Sequence, residues 1–255
     1  LKALTPSTRG PIFVEGLVGH GDGANAGFLR EDAVLVVLLL TDEDDCSSPD
    51  DRLYQVDGGP FPGPFVDDDP VANPTPLLDR RCASYRDAQY DVMSRYVQGI
   101  LALRPGQEDF TIFATISGVD PDVLEANSET TLVNGIEVVE VDIPAILDDP
   151  TMEERQDANA SQPNLIPGCV RPNPVMGGLP NRAFPPRRLL EVTEGLKEAG
   201  VGGVVASICQ AVDPDNGDYT ADFGPAVTAI AARIAASLPT SCLPRELIRN
   251  GANEV

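Results

Sequence analysis

The residues best equipped for chemistry stand together at Thr41-Asp42-Glu43-Asp44-Asp45-Cys46-Ser47, directly after the apolar run Val34 to Leu40. Carboxylates at the end of a strand supply hard oxygen donors, the kind that Mg²⁺ and Ca²⁺ take. Asp42, closest to the run, is the first candidate cation ligand, and Asp44 is a lesser second one. Glu43 and Asp45 would tune the local charge. The same residues also read as a solvated acidic turn in which Asp caps whatever follows.

Other constellations are weaker. Asp213-Pro214-Asp215-Asn216-Gly217-Asp218 invites a calcium reading. An EF-hand loop wants Gly at its sixth position and a terminal Glu, so this stretch reads as a turn before the last helix. Gly19-His20-Gly21-Asp22-Gly23 looks like a phosphate loop, but it precedes a strand rather than a helix and its Asp would repel phosphate. His20 is the only histidine, so a histidine-based triad or metal site would have to use it. With 40 acidic residues, a carboxylate pair for hydrolysis is available everywhere and marked nowhere.

The five cysteines, Cys46, Cys82, Cys169, Cys209 and Cys242, show no C-x-x-C spacing and no adjacent His, which argues against zinc. Scattered through an acidic, Pro-rich chain, they read as disulfides formed in an oxidising compartment. Cys46 and Cys82 bracket one long loop, and Cys209 and Cys242 bracket the last helix. These two pairings are preferred, although four paired cysteines allow three connectivities and a fifth widens the choice.

The elements that must position these groups follow from periodicity. Val34 to Leu40, Phe110 to Ser117 and Val201 to Cys209 are short apolar runs, as expected of parallel strands buried on both faces. Asp87 to Leu103, Pro186 to Ala199 and Pro225 to Leu238 carry helical spacing, the last with Pro at its first position. Asn134-Gly135 between two β-prone runs predicts a hairpin. Two irregular insertions, at about 47–84 and 119–182, separate the elements. The alternation predicts an α/β domain, three-layered, with a mostly parallel sheet and flanking helices. Ligands in such sheets gather beyond the carboxyl ends of the strands, where Asp42, Gly118 and Cys209 would lie.

Composition narrows the partners. A formal charge of −22 and a pI near 4.2 repel phosphate backbones and anionic lipid, so no nucleic acid is expected. No apolar run reaches the roughly 20 residues that span a bilayer. Aromatics are 5% and Trp is absent, so Val, Leu, Ile and Ala must build the core.

Several segments, in this order, resemble von Willebrand factor A-like proteins of the secreted or lipoprotein type found in myxobacteria-like bacteria. They are Asn25 to Ala33, the strand ending Thr41-Asp42-Glu43-Asp44-Asp45-Cys46-Ser47, Ile146 to Met152, Arg187-Arg188-Leu189-Leu190, Ser207-Ile208-Cys209 and Cys242-Leu243-Pro244-Arg245. The resemblance implies a single domain over 1–255 and a metal-ion-dependent adhesion site holding Mg²⁺ (or Ca²⁺). That site takes an Asp-x-Ser-x-Ser loop, a Thr from a second loop and an Asp after a later strand, which Asp42 matches. The chain has no Asp-x-Ser-x-Ser, so the resemblance implies that the first half of the domain lies upstream of Leu1. A sheet lacking those strands would expose an unpaired edge and aggregate unless something covers it.

The function implied is an extracytoplasmic interaction or adhesion module with a protein ligand, cation-assisted in the intact protein. Two alternatives stand beside it: a carboxylate-dependent hydrolase, and a structural envelope protein whose metal site has degenerated.

Overall fold

Three apolar runs form one sheet in the computed structural model, which describes residues 1–7, 18–54, 78–155, 157, 165–173 and 178–238. In chain order the elements are β1 (Leu35–Leu40), α1 (Leu78–Ser84), α2 (Gln98–Leu101), β2 (Thr111–Ser117), α3 (Pro121–Ala126), β3 (Ser128–Val133), β4 (Ile136–Val141), α4 (Ile143–Asp148), β5 (Cys169–Arg171), β6 (Asn181–Ala183), α5 (Arg187–Glu198), β7 (Gly202–Ser207), β8 (Ala211–Asp213), β9 (Asp218–Ala221) and α6 (Gly224–Ser237). The main sheet has the order β1-β2-β7. Both of its pairings are parallel, with Leu35 to Leu40 beside Thr111 to Ile116 and Ile112 to Ser117 beside Gly202 to Ser207. Three antiparallel hairpins, β3–β4, β5–β6 and β8–β9, complete a mixed α/β fold.

The alternation of side chains along β2 divides the core. Phe113 packs with Val97, Ile100, Val192 and Leu196 of the helices on one face. Ile112 and Ala114 pack with Val204 and with Ala229, Ile230 and Ile234 of α6 on the other. All seven residues of β2 are buried, as a central strand requires. The continuous apolar run of β1 predicts the same for it, and here the structure differs. Among the described residues β1 lies at the edge of the sheet, with Leu38 50% and Leu40 59% exposed. Their face of the sheet is the one under α6, which covers β2 and β7 and stops short of the carboxyl half of β1.

The helix expected from Asp87 begins later, at Val92. The Asp91 side chain accepts from the Ser94 N–H and starts it there. Its first six residues, Val92–Val97, are π-helical and run on into α2. After α2, Arg104 turns back and its guanidinium donates to the carbonyls of Ala33, Phe110, Arg30 and Glu31 at 2.6–3.2 Å, fixing the approach to β1.

The far edge, at β7, is guarded. The β3–β4 hairpin turns through Asn134 (φ 51°) and Gly135 (φ 81°), both left-handed, and lies beside β7. Lys197 of α5 and Arg233 of α6 reach it from opposite faces and meet at Glu140, 3.7 and 2.6 Å away. They also donate to the carbonyls of Val141 and Val139. Gly203 and Gly202 make room for them: a Cβ at Gly203 would fall 2.6 Å from the Lys197 stem, and one at Gly202 3.0 Å from that of Arg233.

Disulfides join Cys46 to Cys82 and Cys169 to Cys209. The expected Cys209–Cys242 pairing is therefore overturned. Cys169, at the start of β5, packs with Ala183 and with Cys209, just beyond the end of β7, and Cys242 lies outside the described residues. The second insertion is more ordered than a loop, holding α3, the β3–β4 hairpin, α4 and β5. Much of the first lies outside the described residues. Among the described residues, no helix is long and apolar enough to cross a membrane.

Candidate functional site: the acidic turn at the end of the first strand

The turn after β1 is built by its own side chains before any ligand is considered. The Thr41 N–H donates to the Ile116 carbonyl at 3.1 Å and extends the β1–β2 pairing by one residue. The Thr41 hydroxyl exchanges hydrogen bonds with the backbone N–H and carbonyl of Glu43, each 3.0 Å. Asp42 and Glu43 are left with exposed side chains.

Asp44 and Asp45 turn inward instead. The Asp44 carboxylate accepts the N–H groups of Arg188 (3.0 Å) and Leu189 (3.3 Å) in the first turn of α5. It thereby supplies the cap that Pro186, at the N-cap position, does not give. Asp45 accepts from Arg188 Nε and a terminal nitrogen at 3.2 and 3.1 Å, from the Tyr96 hydroxyl at 3.0 Å and from the Ser47 hydroxyl at 2.6 Å. Next in sequence, Cys46 is bonded to Cys82, and its carbonyl accepts the Tyr54 hydroxyl.

Burial raises the Asp44 carboxyl to about 7. The Arg188 N–H pulls the other way, and the Glu154 carboxylate adds to the rise. Glu154 is itself raised by burial, against the attraction of Arg86, which it meets at 3.1 Å. Arg86 also reaches Glu191. The Tyr96 hydroxyl is pushed up to about 12, chiefly by burial, with the Asp45 charge contributing. The Asp44 carboxyl is spent on the amides of α5 rather than open to a substrate.

The crevice beyond the strand ends is filled by the chain itself. The Phe184 N–H donates to the Asp42 carbonyl at 2.8 Å. A Cβ at Gly118 would stand 2.1 Å from the Phe184 carbonyl oxygen, so only glycine permits this approach. Cys209 is tied to Cys169, whose register partner in β6 is Ala183. Asp42, Gly118 and Cys209 do come to one edge, and the β5–β6 strip lies over it. Among the described residues, no group of three or more His, Cys, Asp or Glu is arranged to hold a metal ion. Asp42 and Asp44 belong to no such group among the described residues.

No protein-family model, curated protein or solved structure matches this chain. Its reading rests on its own residues.

Those residues include several that pattern analysis passes over: Tyr96, Glu154, Arg86 and Arg188. One signal was present. Arg187 and Arg188 open α5, where cations oppose the helix dipole, so the pair calls for carboxylates nearby. Asp45 meets Arg188, while Arg187 caps the carbonyls of Leu147 and Met152. The remaining candidates are peripheral. His20 is exposed. The Asp213 to Asp218 stretch is the β8–β9 turn, closed by Gly217 in the left-handed conformation, with the Asn216 amide donating to the Asp213 carboxylate.

Proposed function

We propose that this chain belongs to an extracytoplasmic protein-interaction module that engages its partner through the acidic edge at Asp42 and Glu43. One observation carries the reading: the turn is rigidly anchored, yet these two carboxylates stay exposed. Thr41, Asp44, Asp45 and Cys46 fix the loop from within, so Asp42 and Glu43 are presented at little entropic cost. Two disulfides support an oxidising compartment. The finer fold assignment, part of a von Willebrand factor A-like domain, is supported by three parallel strands with helices on both faces.

The test is an affinity capture from an envelope fraction with the native chain and the Asp42→Ala/Glu43→Ala variant, quantified by mass spectrometry in Mg²⁺ and in EDTA. A protein retained by the native chain and lost by the variant is the expected result. Equal recovery on both would sink the acidic-edge reading, and equal recovery in Mg²⁺ and EDTA would sink the cation's part in it.

A further inference from the structure

Two methionines are seated alike and differ in what can reach them. On the π-helical turn Val92–Val97, the Met93 sulfur lies 3.0 Å from where a Cβ at Gly195 of α5 would stand, and a Val97 methyl lies 2.9 Å from it. A side chain at 195 would displace both, so glycine is what lets the turn close on α5. Met152 is seated in the same manner, its methyl 3.1 Å from the Cβ position of Gly168. Met152, however, is 0% exposed and sealed in a cluster with Ile143, Ile146 and Leu190. Met93 is 46% exposed. The third methionine, Met176, lies outside the described residues.

A thioether suits the seat at Gly195, because it is unbranched, apolar and polarizable. A sulfoxide does not. Its oxygen is a strong acceptor, and the amides of α5 around Gly195 are spent on their own helix. The close approach of sulfur to α5 also leaves no room for an added atom between them. An oxygen on the Met93 sulfur must therefore turn to water and draw the side chain out of its seat. That uncovers the neighbouring contact of Val97 with Val192 and Leu196.

We propose that Met93 is a reversible oxidation site, at which a hydroperoxide converts the thioether to the sulfoxide and loosens the turn Val92–Val97 from α5. The sulfur lone pair takes the terminal peroxide oxygen: the S–O bond forms as the O–O bond breaks. Sulfur gives up two electrons, and the peroxide, reduced by two, leaves as water or an alcohol. Methionine sulfoxide reductases run the conversion backwards, which makes the change a switch rather than a lesion. Asp42 and Glu43 take no part, so the acidic-edge reading stands or falls separately.

The test treats the whole chain with hydrogen peroxide and maps it by peptide mass spectrometry. In the folded chain Met93 should gain one oxygen while Met152 stays a thioether, and in denaturant both should react alike. The urea midpoint of the oxidised chain should shift downward, and the reductases for both sulfoxide epimers should bring it back. Met93→Leu, which keeps the side-chain volume, should hold its midpoint through the same treatment. Oxidation of Met152 alongside Met93 in the folded chain, or no reaction at Met93, would overturn the proposal. So would a midpoint that the Met93 sulfoxide leaves unmoved, or a fall that the reductases do not reverse. An equal fall in the Met93→Leu chain would place the effect elsewhere and overturn it too. The mapping and the reductase step decide the matter even if the leucine variant does not fold.

Discussion

The two edges of the main sheet are treated oppositely. At β7 the backbone edge is flanked by the β3–β4 hairpin, and two cations cross from opposite faces to hold Glu140. At β1, the backbone groups of Val36, Leu38 and Leu40 face outward by the register of the β1–β2 pairing, and two leucines stand exposed. Both edges are apolar in sequence. What separates them, among the described residues, is whether another part of the chain lies beside them. An apolar run states that a strand wants burial, and only the remainder of the fold states how much it receives.

The contrast can be broken most forcefully at the guarded side. Removing the disulfide that follows β7, with Cys169→Ala/Cys209→Ala, frees a loop with a sequence separation of 40. It should cost about 4 kcal/mol in the chain-entropy estimate, read from denaturant midpoints. Arg233→Ala should cost about 2 kcal/mol, because Glu140 keeps only the longer Lys197 contact and buried aliphatic stem is lost as well. A loss under about 0.5 kcal/mol would mean that the hairpin guards β7 without this clamp.

A smaller effect belongs to the anchored Asp44. The Asp44 carboxyl is raised in the folded protein to about 7 from an ordinary value of 3.8, so the folded state holds its proton over that window where the unfolded chain has released it. Its contribution to stability is full below the unfolded value and is lost as pH rises through the folded one. Asp44→Asn keeps an oxygen acceptor for the amides of α5 and removes the titration. Measured against the native chain in thermal melts, it should therefore gain relative stability from pH 5 to pH 8.

The smallest change in stability belongs to the exposed leucines of β1. Leu38→Lys/Leu40→Lys should alter folding by less than about 0.5 kcal/mol, yet reduce self-association in sedimentation velocity, since lysines on an edge strand discourage pairing. A large destabilisation would show that these leucines are already covered in solution.

Much of the local structure was legible. Three apolar runs gave the three strands, and Asn134-Gly135 gave its hairpin because two successive left-handed residues are needed there and few pairs supply them. The cap on α5 was not legible. Asp44 and Arg188 are 144 residues apart, and nothing in an acidic run says which carboxylate will face a helix and which will face water. The same holds for Arg104, which periodicity treats as the end of a helix but whose guanidinium gathers four carbonyls. Cysteine spacing likewise favoured closing the last helix, whereas the packing of Cys169 with Ala183 and Cys209 decides the bond.

The Cys169–Cys209 bond encloses all of α5 and β7 within one covalent ring. A protease that cut once anywhere inside that ring would open the backbone without releasing a fragment. The nicked chain would still migrate as one 27.0 kDa species until a thiol reagent was added. Cleavage there would be invisible to any size measurement made under oxidising conditions, so the molecule can be scarred in this region and remain a single particle.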